Sequence, residues 1–157
     1  MVGGAIMSII SVASGQSVYR GYEYAQEKKV LQMEQSVEGV IKATVAGSNS
    51  SNYEVIADIA HPRRSQCTCP HAAGKRIVCK HIVAVYFTAF PQEARKYIEE
   101  LESYWEEEEQ RQEEMEDTVI RYVRSLKKID LQQKLLQVLF EGPDWQFDRF
   151  IRENIEY

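Results

Sequence analysis

Three cysteines and one histidine fall in two close pairs, Cys67-Thr68-Cys69 and Cys79-Lys80-His81, with nine residues between the pairs. No other cysteine occurs in the 157-residue chain. In an extended segment, residues i and i+2 point to the same side, so Cys67 and Cys69 can offer both sulfurs to one ion. Pro70 biases Cys69 toward extended backbone, and Gly74 lets the intervening segment turn back. Three thiolates and an imidazole close a tetrahedron around one Zn²⁺ and leave no position for water, which makes the metal structural rather than catalytic. Zinc binding contributes about 10–16 kcal/mol in small finger peptides, against a net stability of about 5–15 kcal/mol for a whole domain. Loss of the ion is therefore expected to unfold the finger locally. His71 is the rival fourth ligand, two residues beyond Cys69, but its use would leave the following helix unanchored, so His81 is preferred. His61, before Pro62, reads as an exposed loop imidazole.

An odd number of cysteines cannot all pair internally, and a close Cys-x-Cys pair suits a metal or thiol exchange better than a disulfide framework. A reducing cytoplasm is the expected home. No run of eighteen apolar residues is present, so no membrane partner is expected. Residues 1–13 form an apolar N-terminal extension without a basic leader or a secretory cleavage pattern, and Met7 could serve as an alternative start. The net charge is −5, yet its distribution is more informative: −1 over residues 1–57, +4 over 58–91 and −8 over 92–157. The basic middle holds Arg63, Arg64, Lys75, Arg76 and Lys80 against Asp58 alone. These five are the candidate nucleic-acid contacts.

The periodicity predicts an α+β fold. Ser14 caps a short amphipathic helix over 14–26, with Val18, Tyr19, Tyr22 and Ala25 near helical spacing. Three strands follow over 29–35, 39–46 and 53–59, the last two alternating around Val40, Ile41, Ala43, Val45 and around Tyr53, Val55, Ala57, Ile59. Short connections predict antiparallel pairing, with one face packed on helices and the other wet. Ile82, Val85, Tyr86, Ala89 and Phe90 then form a helical stripe that ends before Pro91, and His81 in its first turn would clasp it to the metal. Residues 91–157 read as an acidic helical extension. Its first stripe lapses across 106–114, which is either a solvated helix or a break between two helices. Asp130 and Gln133 resemble a capping box for a helix over 131–140, Gly142-Pro143 stops it, and Asp144 caps a last helix.

Cys-x-Cys followed by Cys-x-His is the ligand pattern of the SWIM-type zinc finger, and Cys67-Thr68-Cys69-Pro70 with Cys79-Lys80-His81-Ile82-Val83-Ala84-Val85 is similar to that family's usual wording. Tyr19-Arg20-Gly21-Tyr22-Glu23-Tyr24, Val30, Val45-Ala46-Gly47 and Tyr53-Glu54-Val55 resemble the helix and strands that precede the finger in bacterial members. The resemblance covers about residues 14–90, and the helical tail from Thr118 onward is also similar to segments that follow this finger in bacterial proteins. One departure is Glu27-Lys28-Lys29, which stands where members often carry a glycine-containing turn. The resemblance implies DNA binding or protein association, since members occur in chromatin-remodelling-class ATPases, Mutator-like transposases and recombination-associated proteins.

Several reaction classes lack their motifs. There is no His-x-Glu with Pro-Cys-x-x-Cys, as a zinc deaminase needs, and no His-Glu-x-x-His. The chain is therefore expected to be no enzyme and to take no small-molecule substrate. It is expected to act as a zinc-binding accessory protein contacting DNA, protein or both, with a helicase-like ATPase as the partner the family suggests. The alternative is a cytosolic thiol-redox protein using the Cys67/Cys69 pair. Three thiolates on Zn²⁺ leave a local −1, so part of the basic cluster has a charge to offset nearby. Five phosphate contacts would give log K against log salt a slope of about −4.5. Tyr104, Trp105, Trp145 and Phe147 read as core of the helical extension before they read as partner anchors.

Overall fold

The computed structural model describes residues 8–36, 39–48 and 51–155. The possible start at Met7 lies outside these. The chain divides into one unit up to Leu101 and a second from Glu102. In chain order the elements are α1 (Ile9–Val12), α2 (Gly15–Gln26), β1 (Val30–Gln35), β2 (Val40–Ala46), β3 (Asn52–Asp58), a 3₁₀ turn (Pro62–Arg64), β4 (Gln66–Cys67), α3 (Lys80–Ala89), α4 (Pro91–Ser125), α5 (Lys128–Glu141) and α6 (Asp144–Asn154).

The strands form an antiparallel sheet in the order β1-β2-β3-β4. Ile41, Ala43 and Val45 of β2 and Val55 and Ala57 of β3 are buried on one face, while Lys42, Glu54 and Ile56 point to the other. That strict alternation is the mark of a sheet covered on one side. β1 is an edge strand with a bulge between Val30 and Gln32, and Met33, paired with buried Ala43, stays 40% exposed there. The two-residue β4 escaped the sequence reading because Gln66-Cys67 carries no alternation of its own. It exists because it pairs with β3, Val55 opposite Cys67.

α3 is the centre of the first unit. Every residue from His81 to Phe87 is buried, not just the predicted stripe, because the sheet, α2 and α1 cover the helix on different sides. A helix apolar around its circumference belongs inside. α2 begins where predicted, Ser14 Oγ accepting from Ser17 N–H at 3.2 Å. It approaches α3 so closely at Gly21 that a Cβ there would lie 2.5 Å from Val83 Cβ and 2.9 Å from the Lys80 carbonyl oxygen. The N-terminal segment is more than an apolar extension: Ser8 caps α1, and Ile9 is fully buried in the core.

α2 ends in a Schellman motif. Lys29 N–H donates to the Tyr24 carbonyl and Lys28 N–H to that of Ala25, with Lys28 at φ +54°. The position at which the sequence departs from the family's glycine turn is thus the very place where the backbone is left-handed, a conformation that costs an L-residue about 1–2 kcal/mol.

α4 runs without a break from Pro91 to Ser125, so the acidic stretch is a solvated helix. Its start packs on the first unit through buried Ala94 and through Tyr97, whose ring centroid lies 5.5 Å from that of Phe87. Side-chain pairs three and four apart support the polar stretch, Arg111 with Glu108 and Gln112 with Glu116. Two predicted caps are corrected. α5 starts three residues early, with Leu131 N–H bonded to the Lys127 carbonyl, so Asp130 lies within the first turn. Pro143 occupies the cap position of α6, and Asp144 is the first helical residue. In both places the carboxylate still meets the positive end of the helix dipole.

Lys28→Gly should raise the thermal midpoint of the finger by a few degrees, corresponding to about 1 kcal/mol, because glycine removes the left-handed penalty. Gly21→Ala should lower stability by about 1–3 kcal/mol, because α2 and α3 would have to move apart. Thermal unfolding followed by circular dichroism reads both, and a neutral Gly21→Ala would show that the close approach carries no constraint.

Candidate metal centre

β4 delivers Cys67, the turn after it delivers Cys69, and the start of α3 delivers Cys79 and His81. Thr68, between the first two ligands, is tied to β3 in both directions. Its N–H donates to the Glu54 carbonyl at 3.1 Å, and its Oγ1 accepts from Glu54 N–H at 3.0 Å. Cys69 then anchors a tight turn, its carbonyl accepting from Ala72 and Ala73 N–H, and Gly74 at φ +69° reverses the chain. Cys79 caps α3, its carbonyl accepting from Val83 N–H at 3.2 Å.

All four side chains are buried, and their ligand atoms lie within 4.8 Å of one another. His81 Nδ1 is 3.7 Å from Cys67 Sγ and 3.8 Å from Cys79 Sγ. Zn–S bonds of about 2.3 Å and Zn–N bonds of about 2.0–2.1 Å give a tetrahedron an S···N edge of about 3.5–3.6 Å. The cluster thus has the dimensions of a Cys₃His zinc site and fits one structural zinc. The other imidazole nitrogen, Nε2, is buried with no hydrogen-bond partner, and the ring rests against Tyr53 (centroids 4.8 Å apart) and Tyr24 (5.4 Å). Nδ1, not Nε2, faces the sulfurs and is therefore the ring nitrogen placed to hold the metal.

The thiols are already poised. Contact with Cys67 holds the Cys79 thiol down at about 4, and the same contact, with burial, pushes Cys67 up. Cys69 N–H donates to Cys67 Sγ at 3.4 Å, a bond that favours its thiolate form, the form that binds metal. Of the rival imidazoles, His71 is exposed, and His61 is exposed beside Asp58, Nδ1 to Oδ1 3.4 Å.

The five predicted basic residues separate into two groups. Arg63, Arg64, Lys75 and Arg76 are exposed and line one open groove of about 1120 Å³ between the 3₁₀ turn, β4 and the turn after Cys69. Among the described residues none of the four makes an ion pair. Lys80 is elsewhere. Its ammonium donates to Tyr24 Oη at 2.7 Å and lies 4.2 Å from the centre of that ring, which Lys29 also approaches at 4.2 Å. Lys80 thereby joins α3 to α2 beside the metal centre. Sequence reasoning missed this link, and it also missed Arg20, which lines a second opening of about 390 Å³ with Lys80, His71 and the cap of α2. Neither had a local signal, because both depend on how α2 lies on α3.

Residues 49–90 match the family model of the SWIM zinc finger. The match spans β3, β4, all four ligands and α3. No curated protein and no solved structure matches the chain.

Cys79→Ala and His81→Ala should each reduce zinc from close to one per chain to a small fraction and melt the finger, whereas His71→Ala should retain both metal and fold. Metal analysis of protein purified without chelator decides, and zinc loss in the His71 variant with retention in the His81 variant would assign the fourth ligand wrongly.

Proposed function

We propose that this chain is a non-enzymatic accessory protein whose zinc clasp presents a basic groove to the phosphates of nucleic acid, DNA in the first instance. The observation that carries this reading is the convergence of Arg63, Arg64, Lys75 and Arg76 on one groove, where none of the four makes an ion pair among the described residues although Glu54 also lines it. Cations held exposed and unpaired by a rigid frame are the usual footprint of phosphate contact. The metal site frames one half of the groove, since the Lys75-Arg76 pair lies between Cys69 and Cys79, while the 3₁₀ turn of the other half is held by buried Pro62 and by Ser65 Oγ accepting from Asp58 N–H. Removal of the metal would scatter the Lys75-Arg76 half.

Four contacts, not five, then set the salt response. Lys80 is engaged with Tyr24, so the slope of log K against log salt falls to about −3.6. A thiol-redox role has less support, because Cys67, Cys69 and Cys79 are all buried, out of reach of an exchange partner. A helicase-like ATPase remains the protein partner that the finger's family suggests. Among the described residues no helix is long and apolar enough to cross a membrane. A reducing cytosol suits three free thiols.

Fluorescence anisotropy with a labelled DNA duplex across a salt series tests the reading. Wild type should bind with a slope of about −3.6, Arg63→Glu and Arg76→Glu should each weaken binding at least tenfold, and a charge change on the helical extension should have little effect. No binding at 50 mM salt by zinc-loaded protein, or equal binding by the reversal variants, would refute it.

A further inference from the structure

The unit from Glu102 onward buries none of its described side chains. It is far from polar. On α5, successive residues advance by about 100°, which spreads Ile129, Leu131, Leu135, Leu136, Val138, Leu139 and Phe140 over an arc of roughly 200°. A helix that covers a single neighbour needs an apolar stripe only about 100° wide. α6 supplies one neighbour, with Phe140 and Phe147 ring centroids 5.6 Å apart. Yet Phe140 remains 70% exposed and Trp145 60% exposed, and Val119, Tyr122, Ile129 and Leu136 each remain more than half exposed. The tail aromatics Tyr104 and Trp145, which the sequence assigns to a core, remain more than half exposed.

Charge narrows what can cover this surface. Residues 102–117 carry nine acidic groups against Arg111, but residues 118–157 carry six acidic against seven basic groups. The apolar part is therefore close to neutral and offers no charge preference for nucleic acid or for a strongly acidic or basic protein. Two identical copies would meet there without repulsion. Twelve large apolar side chains of residues 118–155, three of them aromatic, stand between 40% and 70% exposed; together they present on the order of 1,000 Å² of apolar surface, and a stable complex needs about 800 Å² per partner.

We propose that residues 118–155 form a homodimer interface, in which the apolar faces of α5 and α6 and the last turns of α4 pack on the same faces of a second copy. Such a pairing is self-complementary and closes on itself. It supplies the core that the unit lacks alone. It would also bring two basic grooves into one assembly, which raises affinity for a long duplex without any new contact.

Light scattering on the full-length, zinc-loaded protein between 1 and 100 μM tests the interface. The mass expected is twice 18.2 kDa, and it should persist at 0.5 M salt because the contact is apolar. Leu136→Glu should halve the mass while zinc content stays near one per chain, and Trp145→Lys, at a still more exposed position, provides the same readout if the first variant misfolds. A wild-type mass of one chain throughout the range, a mass above two chains, or a dimer unchanged in both variants would overturn the proposal. Zinc content and duplex binding are read separately, so failure here leaves the groove untouched.

Discussion

Convergence of three thiols and one imidazole on a single point is the constraint from which the finger follows. The first unit has a real but small core, built from short strands and a ten-residue helix buried from His81 to Phe87. β4, only two residues long, and the irregular segment from Cys69 to Val78 could not hold their places through backbone pairing alone. A zinc ion bound by both ends of that segment fixes it to β3 on one side and to α3 on the other. The magnitude, about 10–16 kcal/mol of binding in comparable peptides, is as large as the whole net stability of an ordinary domain.

Everything around the site reinforces this geometry. Thr68 ties the first ligand pair to β3, Cys79 caps α3, and the Tyr24–Lys80 bond joins α2 to the residue between the second pair. Gly21 lets α2 approach α3 until the two backbones almost touch. The exposed Lys75 and Arg76 then inherit their positions from the clasp, whereas Arg63 and Arg64 stand on a turn held by buried Pro62 and the Asp58–Ser65 hydrogen bond.

Local rules were enough where an element's own residues decide it. Ser14, the alternation of β2 and β3, and the stripe from Ile82 to Phe90 stand in the structure within a residue or two of their expected places, and the four ligands are brought together. Tertiary partners decided the rest. β4 appears only against β3, the burial of Val83, Ala84 and Phe87 arises from neighbours on several sides, and Lys80 turned inward because Tyr24 lies opposite. The caps of α5 and α6 moved because extended Lys127 and Pro143 start each helix earlier than Asp130 and Asp144 suggest. Lys28 is instructive in a different way: an unusual residue at a glycine-like position marked a left-handed backbone that no periodicity reveals.

Zinc K-edge X-ray absorption on the purified full-length protein probes the closed tetrahedron most directly. The account predicts about three sulfur scatterers near 2.3 Å and one imidazole nitrogen near 2.0–2.1 Å, with no additional oxygen. A first shell with two sulfurs and a water oxygen, or the lack of stoichiometric zinc in protein that nevertheless holds its fold, would contradict it.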